Sequence, residues 1–129
     1  MIEEEYVSFD VAELLKEKGF DEPIRCWYDN FQDFHEEGAR MSNSDCLPPS
    51  VMCPTQAMAM AWLRKVHNKH CDIGYDIDLD WFFQIIDLKE TIEYDYPETK
   101  RYHTENDTGF NTYEEAVEAA LRYTLENLI

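Results

Sequence analysis

Apolar residues recur at helical spacing in three segments of the chain, and residues typical of helix ends flank these segments. The first segment begins after Ser8, which can accept hydrogen bonds from the first-turn amides, and it stops at Gly19, which suits a left-handed terminal residue. The second begins at Pro54 or Thr55 and extends to about Lys69, with proline well placed for a first turn. Both segments are therefore predicted to be helices.

The third segment has the clearest helical pattern. Thr112 and Glu115 have the spacing of a capping box, in which each side chain bonds the backbone near the other residue. One stripe of apolar residues follows at helical spacing, and we expect it to face a sheet. The residues predicted to form this buried face are Val117, Ala120, Leu121 and Leu125.

Three further segments have the composition or alternation of strands. Residues 24–28 and 71–75 are rich in apolar, aromatic or β-branched side chains, and 81–88 continue after an acidic stretch that can join two antiparallel strands. The tract 90–108 alternates around Ile92, Tyr94 and Tyr96 and can add a short strand. The remaining long segment, 29–53, lacks periodicity and is rich in turn-forming residues, which predicts an irregular loop.

The predicted order is helix, strand, helix, strand, strand, helix, which is typical of an α+β fold. We expect a small antiparallel sheet of about three strands, with helices packed on one face, in a single globular domain over residues 1–129. A winged helix is the alternative if 29–53 contains a further helix, since 54–69 would then be the recognition helix.

The charge of the chain narrows the classes of partner. Its 129 residues include 28 acidic and 11 basic side chains, for a formal net charge of -17, which disfavours binding to nucleic-acid phosphates or anionic lipids. The chain has no apolar run of about eighteen residues and begins with an acidic stretch, so a cytoplasmic protein without a membrane segment is expected. A chain of this size does not need disulfides, and reduced thiols are expected at Cys26, Cys46, Cys53 and Cys71.

Three blocks of sequence carry a resemblance to a known group of proteins. They read EYVSFDVAELLKEKGFDEP, PTQAMAMAWLRKVHNKH and GFNTYEEAVEAALRYTLENLI. Together they resemble small proteins of unknown function encoded in gut-bacterial genomes and in their phage-like mobile elements. The resemblance covers about half the chain and implies no activity, cofactor or site residue.

Two groups of residues raise the question of a divalent metal. His67, His70 and Cys71 have side chains that bind zinc, but their spacing matches no established zinc motif, and Cys53 would lie about 20 Å from His67 along a straight helix. The second group is similar to a calcium-binding loop but has Trp81 where the turn glycine belongs. The acidic residues of this group are Asp76, Asp78, Asp80 and Asp87. A divalent-metal protein remains an alternative, although we predict no metal ligand or cofactor.

The sequence gives equally weak support for a catalytic site. Cys53 lies at the predicted start of the second helix, where backbone amides can activate a thiol, yet no histidine or aspartate can be paired with it from spacing. The basic residues between Arg64 and His70 are better explained as surface charges than as a phosphate-binding side. We therefore predict no catalytic residue and a protein that is not an enzyme.

The start of the second helix suggests a contact with another protein. Met58, Met60 and Trp62 combine flexible thioethers with a large ring, which suits an adaptable interface. We predict a non-enzymatic protein-interaction module that self-associates as a homodimer through these residues, with room for a further protein partner. The alternative is a role linked to nucleic acids, as a winged-helix-like binder or as an acidic mimic of DNA.

Overall fold

The computed structural model describes residues 1–46, 48–88, 99–102 and 109–129. Three helices and six strands form the regular structure of these ranges. The helices are α1 (Phe9–Glu17), α2 (Gln56–His67) and α3 (Tyr113–Asn127). The strands are β1 (Ile24–Tyr28), β2 (Phe34–Met41), β3 (Val51–Met52), β4 (Lys69–Asp76), β5 (Asp80–Asp87) and β6 (Thr99–Tyr102).

The α+β class is confirmed, and the strands form two antiparallel sheets of three strands each. One sheet has the order β2-β1-β3 and the other the order β4-β5-β6. The chain divides into two compact units, residues 1–59 and 60–129, with the boundary inside α2. The single domain over residues 1–129 stays a prediction.

In residues 1–59, α1 lies against β3 and its predicted ends are confirmed. The Ser8 hydroxyl accepts from the Val11 amide at 3.2 Å, and Gly19 has a φ of 96°, a conformation that side-chain-bearing residues rarely adopt. Buried Asn43 fastens the loop before β3, since its side chain donates to Phe20 O at 2.7 Å and accepts from Met52 N at 3.0 Å. The apolar core of this unit includes Val7, Val11, Ala12, Leu15, Phe20 and Met52.

The irregular loop predicted at 29–53 is wrong for two parts of that segment. Residues 34–41 form β2 and 51–52 form β3, while 43–45 form a single 3-10 turn. A tight turn explains the pairing of β1 with β2: the Asp29 carboxylate accepts from the Phe31 and Asp33 amides, and Gln32 has a φ of 65°. The winged-helix interpretation is wrong as well, because it needs a helix where β2 lies.

The β1–β2 pairing contains a large bulge. Ile24 pairs with Met41 and Cys26 with Glu36, so the single residue Arg25 faces residues 37–40, three more than a regular ladder allows. Such bulges bend the longer strand and redirect its side chains. The bulge therefore changes what the edge strand β2 presents near Arg25.

Residues 60–129 contain a long hairpin of β4 and β5 covered by α3. The capping box of α3 is confirmed in its first half, since Thr112 Oγ1 accepts from Glu115 N at 3.1 Å, while Glu115 Oε2 accepts from the amide of Asn111. α3 packs on β4 and β5. Its predicted inner face is confirmed as fully buried at Val117, Ala120, Leu121 and Leu125.

The second helix is shorter than predicted, and the strand after it is longer. Asn68 has a φ of 56° and ends α2 at His67, so β4 already begins at Lys69. The strand in the tract 90–108 is present as β6, whereas the alternating Ile92, Tyr94 and Tyr96 lie outside the described residues. Among the residues that the structure describes, no helix is long and apolar enough to cross a membrane.

Candidate functional site

An open cavity of about 390 Å³ lies within residues 1–59. β1, the β2 edge and the chain that enters α2 contribute to its walls. The lining residues are Tyr6, Pro23, Ile24, Arg25, Cys26, Glu36, Arg40, Cys53, Pro54, Thr55 and Met58. The cavity therefore combines apolar side chains, two guanidinium groups and one carboxylate.

The backbone next to the cavity is held by pairing between residues 5–7 and 54–56. Val7 N donates to Pro54 O at 3.1 Å, and Gln56 N donates to Glu5 O at 2.8 Å. Tyr6 forms an isolated antiparallel bridge with Thr55 between these two bonds. These backbone hydrogen bonds thus place the phenol of Tyr6 and the start of α2 beside the same cavity.

Tyr6 supplies a hydrogen-bond donor that stays protonated. Its hydroxyl donates to Glu36 Oε1 at 3.3 Å, and its ring lies 4.9 Å from that of Phe34. The hydrogen bond to the Cys26 thiol raises the pKa of Tyr6 well above its usual range, and burial and the nearby Glu36 charge raise it further. A neutral phenol therefore faces the cavity at physiological pH.

The two arginines of the cavity have side chains with no hydrogen bond or ion pair to any described residue. Arg25 lies on β1 and Arg40 lies in the facing bulge of β2, and both are exposed. Among the described lining residues, two guanidinium groups and the carboxylate of Glu36 give a net charge of +1. This local excess of positive charge contrasts with the net charge of -17 of the whole chain.

The two cysteines of the cavity are buried and their positions do not favour nucleophilic chemistry. Cys53 N donates to Cys26 O at 2.9 Å across the neighbouring strands. The Cys53 thiol is 1% exposed and lies within donating distance of Val7 O at 3.4 Å and Pro54 O at 3.7 Å. Carbonyl acceptors stabilise the thiol rather than the reactive thiolate, and no histidine or aspartate is among the described residues lining the cavity.

The residues predicted for partner binding differ in their exposure. Met58 lines the cavity and is 42% exposed, so it is available to a partner. Met60 is half-buried, and Trp62 is only 6% exposed. The rings of Trp62 and His67 meet edge to face, with 4.7 Å between their centroids. Of these three residues, only Met58 is both exposed and among the described residues that line the cavity.

The candidate zinc ligands do not converge. His67 ends α2, while His70 and Cys71 follow on β4, where the alternation of a strand sends neighbouring side chains to opposite faces. Burial raises the pKa of the Cys71 thiol to about 11, and this thiol lies 3.7 Å from Thr124 Oγ1. The described residues contain no group of three histidine, cysteine or acidic side chains arranged to hold a metal ion.

The calcium-loop interpretation is wrong because the fold separates its residues. Asp76 and Asp80 pair with each other at the turn of the β4–β5 hairpin, where Asp76 Oδ1 accepts from Asp78 N at 2.8 Å. Asp87 lies seven residues further along β5, about 24 Å from Asp80 at the rise of a strand. There it pairs with Lys69 Nζ at 3.0 Å.

Comparison of the chain with models of protein families, with curated proteins and with solved structures finds no match. The resemblance to small gut-bacterial and phage-like proteins therefore stays a prediction. The cavity in residues 1–59 has to be interpreted from its own geometry.

Proposed function

We propose that the protein is a non-enzymatic protein-interaction module whose binding site is the cavity in residues 1–59. The single observation that carries this proposal is the combination, in one cavity, of exposed Met58 with two arginines that bind no described residue. Adaptable thioethers and arginine are both enriched where proteins meet. The proposal extends to a cytoplasmic location, which the lack of a disulfide among the four described cysteines supports, and to an origin in gut bacteria or their phage-like elements.

The size and chemistry of the cavity favour binding over catalysis. Ligand sites commonly enclose about 300 to 1,000 Å³, a range that includes this cavity. Its buried Cys53 thiol contacts carbonyl oxygens, and its tyrosine is kept neutral. A site of this kind can hold a group through charge and apolar contact, and its described residues include no activated nucleophile paired with a base.

Site-directed photocrosslinking tests this function. The photoreactive residue p-benzoylphenylalanine replaces Met58 in one version of the chain and Ile77 in a control version, and each is irradiated in an extract of the organism that encodes it. Ile77 is a suitable control because it is an apolar residue, 88% exposed, that does not line the cavity. We expect a discrete protein adduct from position 58 that is absent from position 77 and that weakens when Arg40→Glu is added.

Either of two results would contradict the proposal. Equal labelling from both positions would indicate nonspecific contact with neighbouring proteins. No adduct from position 58, with a folded and photoactive protein, would show that the cavity does not meet a protein partner.

A further inference from the structure

We infer that the cavity receives the carboxylate end of a polypeptide whose last side chain is apolar, with Arg25 and Arg40 holding the carboxylate. This inference rests on the proposed interaction function and specifies the chemistry of its partner. It concerns residues that the sequence pattern did not single out as site residues.

The arginines are the first argument for a carboxylate. Each guanidinium presents a planar set of donors that matches a carboxylate in a bidentate arrangement. The chain contains 28 acidic side chains, yet neither Arg25 nor Arg40 forms an ion pair with a described residue. Unused donors at the wall of a cavity can therefore bind an anion from outside the chain.

The net charge of the lining selects among anions. With Glu36 included, the lining residues that the structure describes have a net charge of +1, which one carboxylate neutralises. A group with two or more negative charges would meet the Glu36 carboxylate and the field of a strongly acidic protein. A free amino acid, whose charges cancel, would leave the positive charge of the lining uncompensated.

Glu36 and Tyr6 give the site a place for a backbone amide. Tyr6 occupies one carboxylate oxygen of Glu36 at 3.3 Å, which leaves the second oxygen able to accept a hydrogen bond. The last residue of a polypeptide carries both the carboxylate and a backbone N–H donor. An acceptor and two guanidinium groups in the same cavity therefore match the groups of a chain end.

The apolar part of the lining matches the last side chain of such a ligand. Pro23, Ile24 and Met58 contribute carbon-rich surface to the same cavity as the arginines. Burial of an aliphatic side chain against them would add a favourable hydrophobic contribution to the ionic contact. A methionine in this position also tolerates side chains of different shape.

The pairing of β1 with β2 explains why two arginines can serve one site. Ile24 pairs with Met41, so Arg25 and Arg40 are the next residues on the two neighbouring strands, and both line the cavity. The bulge begins at this point, since residues 37–40 lie opposite the single residue Arg25. Bulges recur next to active sites, where they redirect side chains.

Titration of the ¹⁵N-labelled full chain with small probes tests the inference. N-acetyl-leucine carries a carboxylate, an amide and an apolar side chain; N-acetyl-leucinamide differs only in lacking the charge. Free leucine represents an amino acid, and sodium phosphate represents a simple anion. Amide signals of residues 24–26, 40 and 55 report on the cavity, and those of α3 serve as an internal reference.

We expect N-acetyl-leucine to shift the cavity signals with saturation, and N-acetyl-leucinamide, leucine and phosphate to bind at least tenfold more weakly. Arg25→Gln and Arg40→Gln should each weaken N-acetyl-leucine binding about tenfold, because each removes a charged hydrogen bond. Arg64→Gln is the matched control, since Arg64 is an exposed arginine that does not line the cavity. Unchanged amide signals in α1, which belongs to the same unit as the two arginines and does not line the cavity, will show that the variants remain folded.

The inference is overturned if the amide probe binds as well as the acid, or if the arginine variants bind like Arg64→Gln. Tighter binding of leucine or of phosphate would assign the site to a free amino acid or to a simple anion. Photocrosslinking at position 58 is independent of these probes. A cavity-specific adduct without carboxylate binding would therefore reject the inference and leave the proposed function standing.

Discussion

Replacement of Leu121 by alanine offers a direct measurement of how much the buried face of α3 contributes to stability. Leu121 is fully buried in the middle of that helix, which packs on β4 and β5. The substitution removes three carbon atoms, and at about 0.8 kcal/mol for each buried methylene the transfer contribution is about 2.4 kcal/mol. The space left behind adds to this loss, so a total of about 2 to 5 kcal/mol is expected.

Urea denaturation followed by circular dichroism and by tryptophan fluorescence measures this change in the free energy of unfolding. Leu128→Ala is the matched control, because it makes the same chemical change at a half-buried position at the end of α3. We expect the control to cost less than about 1 kcal/mol. Alanine has the higher helix propensity, so the helix itself does not account for a loss at position 121.

A loss below about 0.5 kcal/mol for Leu121→Ala would refute the assignment of this face to the core. Equal losses for the two variants would also refute it, since burial would then have no influence. Two separate transitions in the urea curve would show that the units 1–59 and 60–129 unfold independently.

Three further predictions concern the thiols, self-association and pH. In denaturant, without prior reduction, all four cysteines should react with a thiol reagent, and a count below four would reject the reduced state. In the native protein Cys71 should react slowly, because it is 3% exposed and burial raises its pKa to about 11. Light scattering at about 0.15 M and 0.5 M salt should detect a dimer that tightens as salt screens the net charge, and Met58→Glu should weaken it; a monomer at both salt concentrations and at tens of micromolar protein would reject this prediction. Hydrogen bonds from His35 and from the Asp33 and Phe31 amides lower the pKa of Asp29 in the folded protein. The extra stability of the wild type over Asp29→Asn should therefore be fully present above about pH 4, and it should decline as the pH falls through the lowered pKa of Asp29. A pH-independent difference in thermal unfolding between the two proteins would contradict this sign.

Local signals in the sequence predicted the parts of the fold that local chemistry determines. Ser8, Gly19 and Thr112 lie at helix ends because a hydroxyl or a missing side chain satisfies the backbone there, and the structure confirms all three. The end of α2 is marked by Asn68, because asparagine tolerates the left-handed conformation in which this helix ends. Apolar periodicity alone does not contain this signal, and it predicts a helix end at about Lys69, two residues too far.

The β2 strand and the cavity beside it could not be predicted in the same way. Residues 34–41 contain charged side chains and a glycine, a composition that disfavours a strand, and their pairing depends on the tight turn at Asp29 and on the partner β1. Arg25 and Arg40 are fifteen residues apart in sequence and share a cavity because they follow the cross-strand pair of Ile24 with Met41. Asp80 and Asp87, which sequence spacing made candidates for one site, lie far apart because they are at the two ends of the extended strand β5.

The bulge also affects how this protein can change during evolution. Insertion of one residue into a regular strand shifts the register of everything beyond it and exchanges the inner and outer faces. Here the bulge already interrupts the register, and regular pairing resumes on both sides of it, with Ile24 opposite Met41 and Cys26 opposite Glu36. Mutations that lengthen or shorten residues 37–40 can therefore reshape the rim of the cavity while the rest of the sheet keeps its pairing.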